Sequence, residues 1–272
     1  LKERMLFDIT LFSDDSKIQR KPKGHLYLYP LIAIAAMLAI VFVMDLPHMH
    51  KPKQQLSQTI RIPAGQRAQM DLPDGSVVWL NSQTTLTYDE DFGKKDRKVT
   101  LDGEAYFEVA HNKEIPFYVQ TENIKVQVTG TKFDVCSYKG SNSFIARLIE
   151  GSINLLTNSA KEEKTITSLT KGKYFSMENG KYRTGEMSSN NALAWMQGIY
   201  YFDDVPFKEL LDKIALYYNY KITVKNPKIL ENYRCTGKFK DLDGIEHILK
   251  VIQKDHPFKY DIDNEHNKIT IE

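Results

Sequence analysis

The sequence predicts an all-β domain followed by a small α+β domain, both preceded by one apolar helix long enough to cross a bilayer. Three patterns carry this. Between about Ile60 and Met177, short β-rich runs alternate with turn residues, at a spacing that fits a sandwich, roll or solenoid rather than a parallel α/β sheet. From about Asn190 the period turns helical, twice. Leu26 to Met44 is a run of 19 residues without a charge. The resulting segments are 1–24, 25–45 (the span), 46–59 (a linker), 60–186 (the β domain) and 187–272 (the α+β domain).

The apolar run comes first. At ~1.5 Å per residue it makes roughly 28 Å of helix, close to the ~30 Å hydrocarbon core. Pro30 falls near its first turn, where a missing N–H is tolerated. A buried core helix would show a polar face, and a signal peptide would end in a small-x-small cleavage site. Here Met44 is followed by Asp45-Leu46-Pro47, so an uncleaved span is expected. Lys17, Arg20, Lys21 and Lys23 precede it, against Lys51 and Lys53 after it. The positive-inside bias then puts the N-terminus in the cytoplasm and the rest outside an inner membrane, with Tyr27 and Tyr29 at the cytoplasmic interface. His48, Met49 and His50 could touch a metal just beyond the span, but two histidines complete no coordination shell.

The β region is punctuated by Asp74-Gly75, Phe92-Gly93, Asp102-Gly103, Thr129-Gly130, Glu150-Gly151 and Asn179-Gly180, residues that tolerate the positive φ of hairpin corners. Between them, "IKVQV" alternates as a strand with one wet face does. "AYFEV" alternates likewise, with Phe107 and Val109 inward and Tyr106 and Glu108 outward. Asp74-Gly75-Ser76 reads as one of these corners, with Val77–Leu80 beginning the next strand. Ser76 has no G-x-S-x-G elbow, and no histidine or acid is placed by sequence to activate it. Asp89, Glu90 and Asp91 read as a solvated loop. Glu104 and Glu108, expected on a wet face, are the one conceivable acid pair, and such a dyad needs a cleft and a raised pKa. No convergent catalytic set, metal site or cofactor motif emerges, and a non-enzymatic protein is expected.

In the second half, "FKELLDKIALYYNY" carries Phe207, Leu210, Leu211, Ile214 and Tyr218 on one helical stripe. Pro206 fits its first position, Asp203 and Asp204 suit its positive end, and Asn219 is a stop. "DGIEHILKVIQKDHP" repeats the stripe with Ile245, Ile248, Leu249 and Ile252, and Asp243 with Glu246 reads as a capping box. A shift of 38 residues maps Phe207 onto Ile245 and "YKITV" onto "FKYDI". A helix-then-strand unit thus occurs twice, with "IYYF" and "RCTGKF" as strands before each helix and "KITI" closing a small sheet. Its open edges suit strand addition by a partner; a purely structural cap is the alternative.

Composition excludes one function class and limits another. A net charge of +2 and no basic patch interleaved with aromatics argue against nucleic acid. Cys136 and Cys235 form no CxxC pattern and read as lone, partly buried thiols.

Three motifs, "LPDGSVVWLNSQTTLTY", "VTLDGEAYFEVAHNKEIPFYVQT" and "VTGTKFDV", closely resemble the FecR family of transmembrane sensors over roughly Ile60 to Leu156. The family motif falls on Asp74, Gly75, Trp79, Leu80, Gly103, Glu104, Phe107, Val109, Pro116, Phe117, Gly130, Thr131 and Phe133, mainly as structural positions. Trp79, Tyr106 and Tyr200 are the candidate partner contacts. The segment from Trp195 onward is similar to the extra C-terminal domain of FecR proteins that accompany SusC-type transporters, a domain akin to the secretin and TonB short N-terminal (STN) module.

The resemblance implies a relay. The state of a TonB-dependent outer-membrane transporter, sensed through its periplasmic signalling domain, would pass to an extracytoplasmic-function sigma factor. It also implies a cytoplasmic anti-sigma domain several times longer than the 24 residues ahead of the span, so either the sequence is truncated there or this member does not sequester a sigma factor alone. The runner-up reading is a membrane-anchored periplasmic module that binds glycans or another ligand.

Overall fold

The structure is a computed structural model that describes residues 28–49, 56–158, 163–187, 190–231 and 233–272. The chain divides into two units, Leu1–Gln54 and Gln55–Glu272. In the first, the apolar run forms α1 (Leu28–Met49). Its described side chains, Ile32, Ile34, Met37, Leu38, Ile40, Val41 and Phe42 among them, are exposed. Among the described residues no helix is long and apolar enough to cross a membrane. The expected segment 1–24, part of the linker, Tyr27 and His50 lie outside the described residues, as do the side chains of Tyr29, His48 and Met49.

The second unit begins with thirteen strands. β1 (Ser57–Arg61), β2 (Ala68–Asp71), β3 (Val77–Leu80), β4 (Thr85–Asp89) and the long β5 (Arg97–Glu108) come first. β6 (Phe117–Gln120), β7 (Ile124–Val128), β8 (Lys132–Ser137) and β9 (Ser143–Glu150) follow. β10 (Ser152–Thr157), β11 (Thr165–Thr170), β12 (Lys173–Glu178) and β13 (Lys181–Glu186) complete the set. They form one curled sheet with two halves that share β5. Residues 97–102 of β5 lie between β4 and β6, in the order β1-β4-β5-β6-β7-β10-β11. Residues 103–108 lie between β3 and β8, in the order β2-β3-β5-β8-β9-β12-β13.

The crossover point corrects the sequence reading, which took Asp102-Gly103 for a turn between two strands. Gly103 instead bends one continuous strand from one half to the other. It has φ +134°, and a Cβ there would fall 2.4 Å from Thr84 Oγ1 and 2.6 Å from Thr84 Cα, so only glycine lets the chains approach. Thr84 Oγ1 accepts from Glu104 N at 3.0 Å and fixes the bend. The inward residues of both halves fill one core. Phe107 stacks on Phe133 at 5.0 Å and meets Phe117 of the other half at 6.0 Å.

After a 3₁₀ turn (Asn190–Gln197) comes the α+β module. Its elements are β14 (Ile199–Pro206), α2 (Phe207–Tyr218), β15 (Lys221–Val224), β16 (Arg234–Lys240), α3 (Gly244–Asp255), β17 (Tyr260–Asp263) and β18 (Lys268–Ile271). The repeated unit packs as two small sheets rather than one, β14-β16 and β15-β18-β17. The stripe residues Phe207, Leu210, Leu211, Ile214, Ile245, Ile248, Leu249 and Ile252 are buried together.

Three helix-end details differ from expectation. Pro206 sits one residue before the first helical position. Asp204 pairs with Arg234 at 2.7 Å instead of facing the helix end. Asp243 has helical backbone angles because a short turn (Asp241–Asp243) runs into α3. Its carboxylate therefore turns back to accept from Lys240 N at 3.1 Å and makes no capping bond to α3. Asn219 does end α2 in the left-handed conformation, with φ 58°.

Candidate functional site

Two buried polar centres stand out in the second unit. The first holds the family-motif corner. Gly75, at φ +82°, lets the chain turn between β2 and β3. Asp74 Oδ1 accepts from Ser76 N at 3.0 Å, and Oδ2 accepts from Ser76 Oγ at 2.7 Å. An acid does therefore face Ser76, two residues away, where the sequence reading found none. Yet Ser76 is fully buried, its hydroxyl also accepts from Ala110 N at 3.0 Å, and Asp74 is engaged by Arg97 Nη1 at 2.9 Å. Arg97 spends its other donors on the carbonyls of Ala110, Asn112 and Ile115 and lies over the Phe117 ring. Pro116 O accepts from Arg97 N. Every group at this corner ties the β2–β3 turn to the chain between β5 and β6. A shallow cavity of about 390 Å³ opens beside it.

The second centre lies on the outer face of the β3-β5-β8-β9 sheet, under the α+β module. Strand register puts Trp79, Tyr106, Asp134, Arg147 and Tyr174 in one row across five strands. Glu104 and Cys136 pair in the next row. Here the wet-face expectation fails. Glu104 is only 4% exposed and Tyr106 only 5%, because the module covers this face. Tyr106, with Trp79 and Ile149, joins the module's core beside Trp195, Tyr200 and Tyr217. Trp79 meets Tyr106 at 5.4 Å, and Tyr200 stacks on Tyr217 at 4.1 Å. The three residues expected to contact a partner thus meet one another's domain. Glu108 is half-buried and accepts from Tyr106 OH at 3.2 Å.

Arg147 serves two carboxylates, with Nη1 2.5 Å from Asp134 Oδ2 and 3.6 Å from Glu104 Oε1. Asn81 Nδ2 donates to Glu104 Oε2 at 2.6 Å. Burial, and then the Asp134 charge, push Glu104 from 4.5 up to about 7 against the opposing pull of Arg147, Asn81 and Lys213. Burial also raises Asp134, against Arg147. On Arg147 burial works against the charge, but Asp134 and Glu104 outweigh it and hold the guanidinium above its ordinary value. Burial, then Glu104, pushes the half-buried Cys136 thiol well up; Cys235 is buried and also free.

The seam between β domain and module is stitched by the segment Asn81-Ser82-Gln83. The last carbonyls of a helix lack intrahelical donors. For α2, Asn219 N and Tyr220 N reach Leu216 O and Ala215 O, and the β domain supplies further donors. Tyr217 O accepts from Ser82 Oγ at 3.1 Å and from Gly65 N at 3.0 Å, and Leu216 O accepts from Gln83 Nε2. Arg67 Nη2 donates to Asp241 Oδ2 at 2.9 Å across the same seam. None of Asn81, Ser82, Gln83, Asp134 or Arg147 was singled out from sequence. The first three look like an ordinary polar turn, and the last two like outward positions on alternating strands.

The remaining motif residues are scaffold. Leu80, Phe107, Val109, Phe117 and Phe133 are buried in the β core. Gly130 and Thr131 join β7 to β8, where Thr131 Oγ1 donates to Ser152 O at 3.0 Å. Among the described residues no group of three or more His, Cys, Asp or Glu could hold a metal ion.

The second unit is thus a β domain with a docked α+β module, and it holds one buried polar centre within the β domain and one at the seam between the two. The sequence comparisons sharpen this. Residues 58–154 match the family model for FecR protein, and residues 199–271 match the model for the FecR C-terminal domain. The two take in more than half of the chain between them and place it in the FecR family. Two crystal structures of a candidate anti-sigma factor from Parabacteroides distasonis, at 2.50 and 1.65 Å, each align with a TM-score of 0.68. Identity is 25% and 24%, over 79% of this chain and 98% of that one. No curated protein gives a significant match.

Proposed function

We propose that this chain is a single-pass inner-membrane signalling protein that relays the state of a TonB-dependent, SusC-type outer-membrane transporter to an extracytoplasmic-function sigma factor. It acts by binding rather than by catalysis. The observation that carries the reading is the order of parts. An exposed apolar helix comes first, then a FecR domain, then a FecR C-terminal domain locked onto it, in a chain that aligns with a candidate anti-sigma factor. The α+β module, with its doubled helix–strand unit, acts as an STN-like domain that meets the transporter's periplasmic signalling domain. The helix holds both domains at the membrane, with the N-terminus on the sigma-factor side.

The test is direct binding of purified residues 46–272 to the signalling domain of the cognate transporter, followed by calorimetry. Saturable binding supports the relay; no binding, together with binding of an oligosaccharide, overturns it.

One observation favours the second reading, a glycan-binding module. The outer face of the other sheet half carries Tyr118, Gln127, Asn154 and Ser168 in one cross-strand row rich in hydroxyl and amide groups, with Lys98 next to Tyr118 in register and Lys125 Nζ 4.2 Å from the Tyr118 ring centroid. Calorimetry with the oligosaccharide tests that row as well.

A further inference from the structure

Among the described residues, the buried side-chain atoms without a hydrogen-bond partner are Arg67 Nη1, Asp134 Oδ1, Trp195 Nε1 and Tyr200 OH. All four lie along the seam. Arg67 reaches across it to Asp241. Asp134 lies beneath the module, and Trp195 Nε1 approaches it without completing a bond. Tyr200 stacks on Tyr217 above the buried charges. A small cavity of about 240 Å³, walled by Arg67, Trp79, Trp195 and Met196, runs along the same seam. Leaving polar groups buried and unpaired disfavours the closed state, because opening returns them to water. The β core carries no such fault.

The charges under the module are also unbalanced. Asp134 and Cys136 face Glu104 from β8, and Arg147 faces it from β9. Asn81 and Tyr138 close one side, and the module contributes Lys213 and Tyr217 from α2 and Tyr200 from β14. One guanidinium and the more distant Lys213 thus stand against two buried carboxylates. Undocking would return both carboxylates to solvent.

We propose that the α+β module is held on the β domain by a proton-linked clasp, in which Glu104 takes up a proton when the module docks and gives it up when the module lifts. The clasp works whichever partner the two domains meet. Burial under the module raises the Glu104 carboxyl to about 7 from the 4.5 of a free glutamate, and Arg147 and Asn81, both in the β domain, pull it down whether or not the module is docked. The docked state therefore holds the proton more tightly, and protons favour docking. Through Glu104, docking weakens as pH rises across the interval from about 4.5 to about 7, and Asp134, which burial also raises, acts in the same direction. Each unit between the two pKa values weakens docking roughly tenfold across that interval.

Hydrogen exchange of the full chain in detergent, read by mass spectrometry on the peptide containing Gly65, tests this. Gly65 N donates across the seam to Tyr217 O at 3.0 Å and within the β domain to Ser82 Oγ at 2.9 Å, so lifting the module removes one of its two acceptors and lowers its protection. After correction for the intrinsic pH dependence of exchange, its protection is expected to fall about tenfold or more from pH 5 to pH 7.5, while peptides of β12 and β13 stay unchanged. Glu104→Gln should flatten that slope. Arg67→Met, which breaks only the rim contact to Asp241, should lower protection at both pH values and keep the slope. Wild-type protection that does not vary with pH overturns the clasp. So does an undiminished slope in Glu104→Gln, or a lost slope in Arg67→Met.

Discussion

Arg97 and Arg147 are both buried arginines of the β domain paired with carboxylates, and they differ in completeness. Arg97, 2% exposed, meets one carboxylate and three backbone carbonyls, so one positive charge balances one negative and no acceptor is left over. Arg147 meets two carboxylates, and Asp134 Oδ1 remains unpaired. Desolvating ions is expensive, and only a fully bonded cluster recovers the cost. The complete centre lies inside one domain and holds a turn in place. The incomplete one lies where two domains meet, where a local energetic fault makes a contact reversible.

The largest effect that separates them is expected from Arg97→Met. It strands Asp74 and three carbonyls in a buried site and should cost about 3–5 kcal/mol in urea unfolding. Equal stability of that variant and the wild type would mean the corner is not a structural clamp. Arg147→Met should cost less, about 2–3 kcal/mol at pH 8, and less again at pH 5.5. Glu104 and Asp134, both already raised by burial, can escape the loss of their partner by taking up protons. Adding Glu104→Gln to Arg147→Met should recover about 1–2 kcal/mol at pH 8, since it removes one of the two stranded charges. A double variant no more stable than the single one would place the cost elsewhere than in the charge imbalance.

The sequence made one of these centres half legible and hid the other. Asp-Gly at 74–75 announces a corner because positive φ is a local property of the backbone, but its partner Arg97 lies 23 residues on and carries no mark of burial. The helical stripes of α2 and α3 were readable because the 3.6-residue period is written into the chain, although Tyr217 rather than Tyr218 completes the first stripe. Period-2 alternation correctly set Tyr106 and Glu108 apart from Phe107. It could not say that a second domain covers that outward face. Alternation reports which side of a sheet a residue takes, and burial on the far side depends on contacts more than 80 residues away, such as Ser82 to Tyr217. Gly103 was misread for a related reason, because a glycine that bends a strand between sheet halves has the same local signature as one that ends it.

The smallest expected effects separate the two serines that flank β3. Ser76→Ala removes a hydroxyl that both donates to Asp74 and accepts from Ala110 N, in a site with no exposure. The loss leaves Ala110 N unpaired and should cost about 1–2 kcal/mol, more than a corner serine on a solvated turn would. Ser82→Ala removes both the donor to Tyr217 O and the Oγ that accepts from Gly65 N at 2.9 Å, but Gly65 N still reaches the Tyr217 carbonyl at 3.0 Å, so the α2 end keeps one cap from the β domain. Its cost in global stability should be about 0.5–1 kcal/mol. The two should differ in kind as well as size, because Ser76 holds the β domain together and Ser82 holds the module to it. Ser82→Ala should speed hydrogen exchange at Gly65 without moving the midpoint of β-domain unfolding, and Ser76→Ala should move that midpoint. If both variants shifted the same midpoint equally and left Gly65 alone, the seam would be as rigid a part of the fold as the corner, and the distinction between the two arginines would lose its functional meaning.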